Sequence, residues 1–268
     1  MVFRVVSDTH FEHWLPNPGA DTKTFLYQVL PWHDSDPHST LILAGDISSH
    51  PVQRRDMLNE ASARFKEIIY VAGNHEHYGG RLDTWNEEAT ALEAQFNNVH
   101  ISRQNEAMSF EPDDLQVLYA TMWAPYGKTD PLREMKLNNT SDCHWIQKDV
   151  WSRRSCAKDY QEMYTKELDS LRELCKISHS INQKCAVVTH HVPSLKMRHP
   201  RFPEDVSDDM FMAPEAEAFM YEDWAPKFWF FGHTHKAWDI QIGNTRCISN
   251  PYGYPNEQYQ GWVSAKIV

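Results

Sequence analysis

No apolar run in the 268 residues approaches the ~20 that a membrane-spanning helix needs, although 41% of the chain is hydrophobic. That pattern predicts a globular protein with a sizeable core and no membrane partner. Cysteine is scarce: Cys143, Cys156, Cys175, Cys185 and Cys247 are odd in number, widely spaced and without a CxxC pair. A disulfide framework and a cysteine-built zinc site are thereby excluded, and free thiols in a reducing cytoplasm are expected. Positive charge is also short, with 26 Lys and Arg against 37 Asp and Glu and a formal net charge of -11. A broad nucleic-acid surface needs clustered cations, so none is expected. A small phosphorylated substrate stays compatible, because bound divalent cations reverse the local potential. Residues 1–6 lack the basic region, long apolar stretch and cleavage site of a signal peptide, so no leader is expected. Repeats, low-complexity segments and linkers are missing too, which predicts a single domain over 1–268 of cytoplasmic location.

Present instead are five apolar runs that each end in metal-competent side chains. Val5-Val6-Ser7 leads to Asp8-Thr9-His10, Leu41-Ile42-Leu43-Ala44-Gly45 to Asp46, and Ile68-Ile69-Tyr70-Val71-Ala72-Gly73 to Asn74-His75-Glu76. Val187-Val188-Thr189 leads to His190-His191, and Trp229-Phe230-Phe231-Gly232 to His233-Thr234-His235. Chemistry on an α/β scaffold sits at the carboxyl ends of strands. Strands are predicted over 2–7, 40–44, 67–72, 99–101, 115–121, 184–189, 227–231 and 262–268. A hairpin with a type I′ turn at Gly243-Asn244 is expected to join strands 237–242 and 245–249. Helices are predicted over 22–30, 52–65, 81–96, 159–181 and 215–224. The first three strands alternate with helices, which implies parallel pairing through right-handed crossovers and brings three ligand-bearing loops to one edge. Between about 128 and 182 the pattern turns polar and helical. We read this as a cap insertion over that edge, its second half alternatively a crossover helix on a sheet face.

Aspartate and histidine ligands with an asparagine carbonyl, and no cysteine among them, suit Mn, Fe or Zn, with Mg and Ni also compatible. Asp8, His10, Asp46, Asn74, His75, His190, His233 and His235 are more groups than one ion can use. Two ions ~3.5–4 Å apart share a bridging ligand, and a carboxylate such as Asp46 can bridge.

The ordered motifs Asp8-x-His10, Gly45-Asp46, Gly73-Asn74-His75-Glu76, His190 and Gly232-His233-x-His235 resemble those of the calcineurin-like metallophosphoesterase superfamily. Asp8-Thr9-His10-Phe11-Glu12, Thr121-Met122-Trp123 and Asn250-Pro251-Tyr252-Gly253-Tyr254 resemble a bacterial and phage-like branch whose substrates no motif fixes. The resemblance implies a four-layer α/β/β/α sandwich with mixed sheets and a helical cap. It also implies two metal ions, one held by Asp8, His10, Asp46 and His235, the other by Asp46, Asn74, His190 and His233. His190 comes directly off its strand and is favoured over His191, which would then face substrate. His75 corresponds to the family's catalytic histidine, with Glu76 orienting it. Relatives often continue x-x-Asp or x-x-Gly after Gly45-Asp46, whereas Ile47-Ser48-Ser49-His50 follows here.

The expected chemistry is hydrolysis of a small phosphomonoester or phosphodiester, a nucleotide among them, by hydroxide formed on the metals. Trp123 and Tyr126 can stack on a nucleobase or aryl group, although core packing is the commoner fate of such residues. Protein phosphatase, nuclease and non-catalytic scaffold are the alternatives. The missing basic groove weighs against a processive nuclease and the complete ligand set against a scaffold.

Overall fold

The structure, a computed structural model, describes residues 2–15, 21–111, 115–125, 131–151, 154–201, 211–257, 261–263 and 266–268, with only the backbone of 132 and 133. Its strands are short and apolar, and most are buried on both faces, as parallel strands covered on each side must be. The first sheet is parallel in the order β1 (Phe3–Val6), β2 (Thr40–Ala44), β3 (Glu67–Val71), β4 (Val99–Ile101). The second sheet is mixed. Its order is β5 (Met108–Phe110), β6 (Leu115–Tyr119), β7 (Lys184–Val188), β8 (Phe228–Phe231), β10 (Thr245–Ser249), β9 (Trp238–Ile242), with β5 and β9 antiparallel to their neighbours.

Side chains alternate across a strand, and this alternation builds the layers. Val5, Ile42 and Ile69 of the first sheet meet Val117, Ala186, Val188, Phe230 and Ile248 of the second in a core between the sheets. Val6, Leu41, Leu43 and Tyr70 point outwards onto α2 (Thr22–Val29), α3 (Pro51–Ser62) and α4 (Trp85–Glu93). On the opposite side Leu118, Val187 and Trp229 pack with Leu168, Leu171 and Cys175 of α7 (Ala157–Ser180). The result is the expected four-layer α/β/β/α sandwich. All five cysteines are free, and no described helix is long and apolar enough to cross a membrane.

Several elements differ from expectation for identifiable reasons. The 215–224 segment is a 3₁₀ helix over Pro214–Tyr221, and it stops short where the Met220 carbonyl accepts from Asn244 N in the hairpin turn at 2.7 Å instead of from a helical amide. That turn is not type I′. Gly243 has a φ of 52° but Asn244 is not left-handed, and type I′ needs both. Of the predicted last strand, Val268 exchanges hydrogen bonds with Phe3, and the Lys266 carbonyl accepts from Val5 N, at the free edge of β1. The short helix α1 (Phe11–Trp14) and the edge strand β5 are additions, whereas α5 (Pro131–Leu137) and α6 (Ser141–Trp145) fall in the region expected to be helical. Through the 128–182 region, α5 and α6 precede α7, which packs on β6 and β7.

Candidate metal centre

The ligand-bearing loops turn sharply at the strand ends. Asp8, His10, Asp46, His233 and His235 all have φ between 44° and 74°, a left-handed conformation that non-glycine residues rarely hold. Such strain, of order 1–3 kcal/mol each, persists only where surrounding contacts enforce it. Two glycines make the close approach feasible. A Cβ on Gly45 would stand 2.2 Å from His190 Nδ1, and one on Gly73 would stand 2.2 Å from Asp46 Oδ1.

Two groups of side chains converge there. In the first, His10 Nε2 and His235 Nε2 are 3.0 Å apart, and Asp8 Oδ1 lies 3.5 Å from His235 Nε2. In the second, His190 Nε2 is 3.0 Å from His233 Nδ1 and 3.1 Å from Asn74 Oδ1. Asp46 Oδ2 lies between them, 3.4 Å from His190 Nε2 and 3.7 Å from His10 Nε2. Asp8, His10 and His235, and likewise Asp46, His190 and His233, offer ligand atoms within 4.8 Å of one another.

The donor set fits cations. Burial drives His10 down to about 3 and holds His233 well below its ordinary value, so these imidazoles are neutral and their nitrogens free to coordinate. Burial alone would raise Asp46, but the neighbouring His190 and His75 hold it well below the carboxylate range. Burial also works against protonation of His190, yet the Asp46 charge pushes it up to about 9, so positive charge is favoured at that spot. Hydrogen bonds on the far side of two rings fix the tautomers. His190 Nδ1 donates to Ala44 O at 2.9 Å and His235 Nδ1 to Glu257 Oε2 at 2.5 Å, so that in the neutral form of each ring, with a cation in place of the proton, the Nε2 lone pair would face the cluster.

His75 stands at the rim. Its Nδ1 donates to Glu12 Oε1 at 3.0 Å, its Nε2 is 3.1 Å from the Tyr254 hydroxyl, and its ring stacks on Tyr78 with centroids 4.2 Å apart. Burial lowers its pKa, but the charge of Asp46 and the bond to Glu12 outweigh burial and push it to about 9. A cavity of about 580 Å³ opens over the cluster, lined among others by Asp46, His75, Asp142, Arg198, Phe211 and Tyr254.

Glu76 does not orient His75. Both its oxygens are occupied elsewhere, receiving the amides of Asp46, Ile47 and Gly73 at 2.6–3.0 Å and the Tyr70 hydroxyl at 2.9 Å. It therefore shapes the loop that aims Asp46, while Glu12 holds the His75 ring. Of the two adjacent histidines, His190 points into the cluster. His191 is fully buried against His233 and Trp123, and Trp123 is itself fully buried against Tyr160. Neither lines the cavity: Trp123 takes the core packing that is the commoner fate of such residues, and His191 lies behind His233; Tyr126 lies outside the described residues.

The sequence assigns no role to Glu12, Tyr78, Asp142, Tyr254 or Glu257, although Glu12 and Tyr254 fall in segments that carry the branch resemblance. The available signals were slight: Glu12 follows Asp8-x-His10 by two residues, and Tyr254 sits in a loop rich in turn formers.

No curated protein matches the chain in sequence. Among solved structures, a phosphopantetheinyl hydrolase from Mycobacterium tuberculosis superposes with a TM-score of 0.71 at 14% identity, covering 97% of this chain and 93% of that one. A putative 5'-nucleotidase from Staphylococcus aureus gives 0.53 at 15% identity, over 94% of this chain but 48% of its own length. The protein TT1561 of Thermus thermophilus gives 0.53 at 12% identity, over 94% and 89%. These likenesses establish the fold. Residues 1–237 match the model of the Calcineurin-like phosphoesterase family, so the chain belongs to that family of metal-dependent phosphate-ester hydrolases.

Proposed function

We propose that this protein hydrolyses a small phosphomonoester or phosphodiester, nucleotides among them, at a centre of two metal ions. The observation that carries this reading is the position of Asp46, whose Oδ2 is within 3.4 and 3.7 Å of imidazole nitrogens from two separate ligand groups. Asp8, His10, Asp46 and His235 would hold one ion. Asp46, Asn74, His190 and His233 would hold the other, with Mn, Fe or Zn best suited to this donor set. When bound, such ions neutralise phosphate oxygens and make water acidic enough, with a pKa of about 7, to supply a nucleophile at neutral pH. His75, kept protonated and oriented by Glu12, hands a proton from Nε2 to the leaving oxygen once Tyr254 yields that position to substrate. The cavity of about 580 Å³ suits a small organic group on phosphate. Neighbours of the same fold named phosphopantetheinyl hydrolase and putative 5'-nucleotidase fit that class.

The test is hydrolysis of p-nitrophenyl phosphate and bis-p-nitrophenyl phosphate by chelator-stripped protein refilled separately with Mn, Fe, Zn, Ni and Mg. Turnover should depend on metal. His75→Ala should keep its metals and lose about 10²- to 10⁴-fold in rate, whereas Asp46→Asn should lose both metal and turnover. The ratio of the two rates separates monoesterase from diesterase. Absence of turnover on either ester, with two ions demonstrably bound, would overturn the reading.

A further inference from the structure

Asn74 offers a carbonyl oxygen and an amide nitrogen that are nearly equal in shape, and only the oxygen can bind a cation. Which one faces the cluster depends on what the other half of the amide meets. Here Nδ2 donates to Asp142 Oδ1 at 2.8 Å and lies 3.3 Å from the Tyr78 hydroxyl, while Oδ1 faces His190 Nε2 at 3.1 Å. A carboxylate only accepts. Turning the amide over would set Asn74 Oδ1 against Asp142 Oδ1 and aim an N–H pair at the place where a cation must sit. Asp142 also accepts from the Tyr78 hydroxyl at 2.8 Å, and Tyr78 stacks on His75, so one buried carboxylate braces both a ligand and the rim histidine.

Asp142 belongs to α6, far from the strand-end motifs in sequence. The short helix is itself held in place: Ile146 N donates to Asp142 O at 3.0 Å, Thr140 Oγ1 caps Cys143 N, and the Trp145 carbonyl accepts from Gly79 N at 2.9 Å, just past the Asn74 turn. Helix and ligand loop are therefore pinned to each other on the carboxyl-terminal side of the Asp142–Asn74 contact.

We infer that Asp142 is the positioning residue of the second metal subsite, locking the Asn74 amide with its oxygen inward and making the affinity of that subsite depend on α6. The inference rests on the dinuclear reading above. A carboxylate that orients a ligand from behind is typically worth about 10- to 100-fold in metal affinity.

The experiment is calorimetric titration of the full-length, chelator-stripped protein with Mn²⁺, comparing wild type, Asp142→Asn, Asn74→Ala and the double variant, each checked for cooperative melting. An asparagine at 142 can meet either face of the amide and so no longer selects one. The expected result is two sites in wild type, with Asp142→Asn weakening one about 10- to 100-fold and leaving the other in place. In the Asn74→Ala background the same change should cost nothing further, because there is no amide left to orient. Equal weakening of both sites, or an undiminished effect in that background, would reduce Asp142 to a distant negative charge and overturn the inference. Unchanged affinities would overturn it as well. Should Asp142→Asn fail to melt cooperatively, Asp142→Ser, which also removes the fixed acceptor, replaces it under the same criteria. A wild type that binds fewer than two ions would instead count against the dinuclear centre, so the two failures are distinguishable.

Discussion

Glu12 is the side chain on which the reactive rim of the site depends. Its Oε1 accepts from His75 Nδ1 and lies 3.5 Å from His10 Nδ1, while Oε2 accepts from the Ser49 amide at 3.2 Å. One carboxylate thus touches the rings of a candidate ligand and the candidate acid, and ties both to the loop after Asp46. Glu12→Gln keeps the shape but exchanges a pure acceptor for a mixed group, so His75 loses the partner that favours its charged, correctly turned form. We expect turnover to fall about 10- to 100-fold. The loss should be larger for alkyl phosphates than for p-nitrophenyl phosphate, because a good leaving group needs little help from an acid. Rates measured across a series of leaving groups check this, and an equal loss across the series would remove Glu12 from that role.

At the scale of elements, the long helix α7 supports the site from behind. Its Glu167 is fully buried, accepting from Asn105 N at 3.1 Å and Met122 N at 2.7 Å, so it fastens the segment after β6. Burial raises its pKa and the backbone donors only partly offset this, leaving it at about 8 against an ordinary 4.5. The folded protein therefore keeps a proton on Glu167 through a window in which the unfolded chain has released it. Its contribution to stability is full below pH about 4.5 and is lost as pH rises towards about 8, by an amount on the order of a few kcal/mol. Urea titrations of wild type and Glu167→Gln across that window should show a downward slope in wild type that is flatter in the variant. Parallel slopes would contradict the assignment.

On the whole-molecule scale, the cluster joins the two sheets. Asp8, His10, Asp46 and Asn74 follow strands of the first sheet, whereas His190, His233 and His235 follow strands of the second. Ions bound there would clasp the sandwich at one edge and stabilise only the folded state. At a hundredfold excess over Kd, one site is worth about 2.7 kcal/mol, which for a chain of this size raises Tm by about 5–10 °C. Melting curves of stripped protein with and without Mn²⁺ should show that rise, and Asp46→Asn, which lacks the shared oxygen, should show little of it.

The amino-acid sequence by itself determined the layers and the candidate ligand residues. Apolar runs that end in Asp, Asn or His are local patterns: a strand buried on both faces must be apolar, and its carboxyl end must leave the sheet where those residues fall. Parallel crossovers then bring the ends of each sheet to one edge, and the packing of the two sheets brings the two edges together. What touches His75 and Asn74 only the tertiary structure decided. Glu12 is 63 residues from His75, Tyr254 is 179 away, and Asp142 is 68 from Asn74. Each arrives on a loop or short helix whose course is set by packing and not by periodicity. The same holds for His191, which beside His190 reads as substrate-facing, whereas Trp123 takes the core packing that is the commoner fate of such residues. His191 packs against Trp123 and His233, which arrive after β6 and β8, a contact set by how those strands flank β7 and not by local pattern.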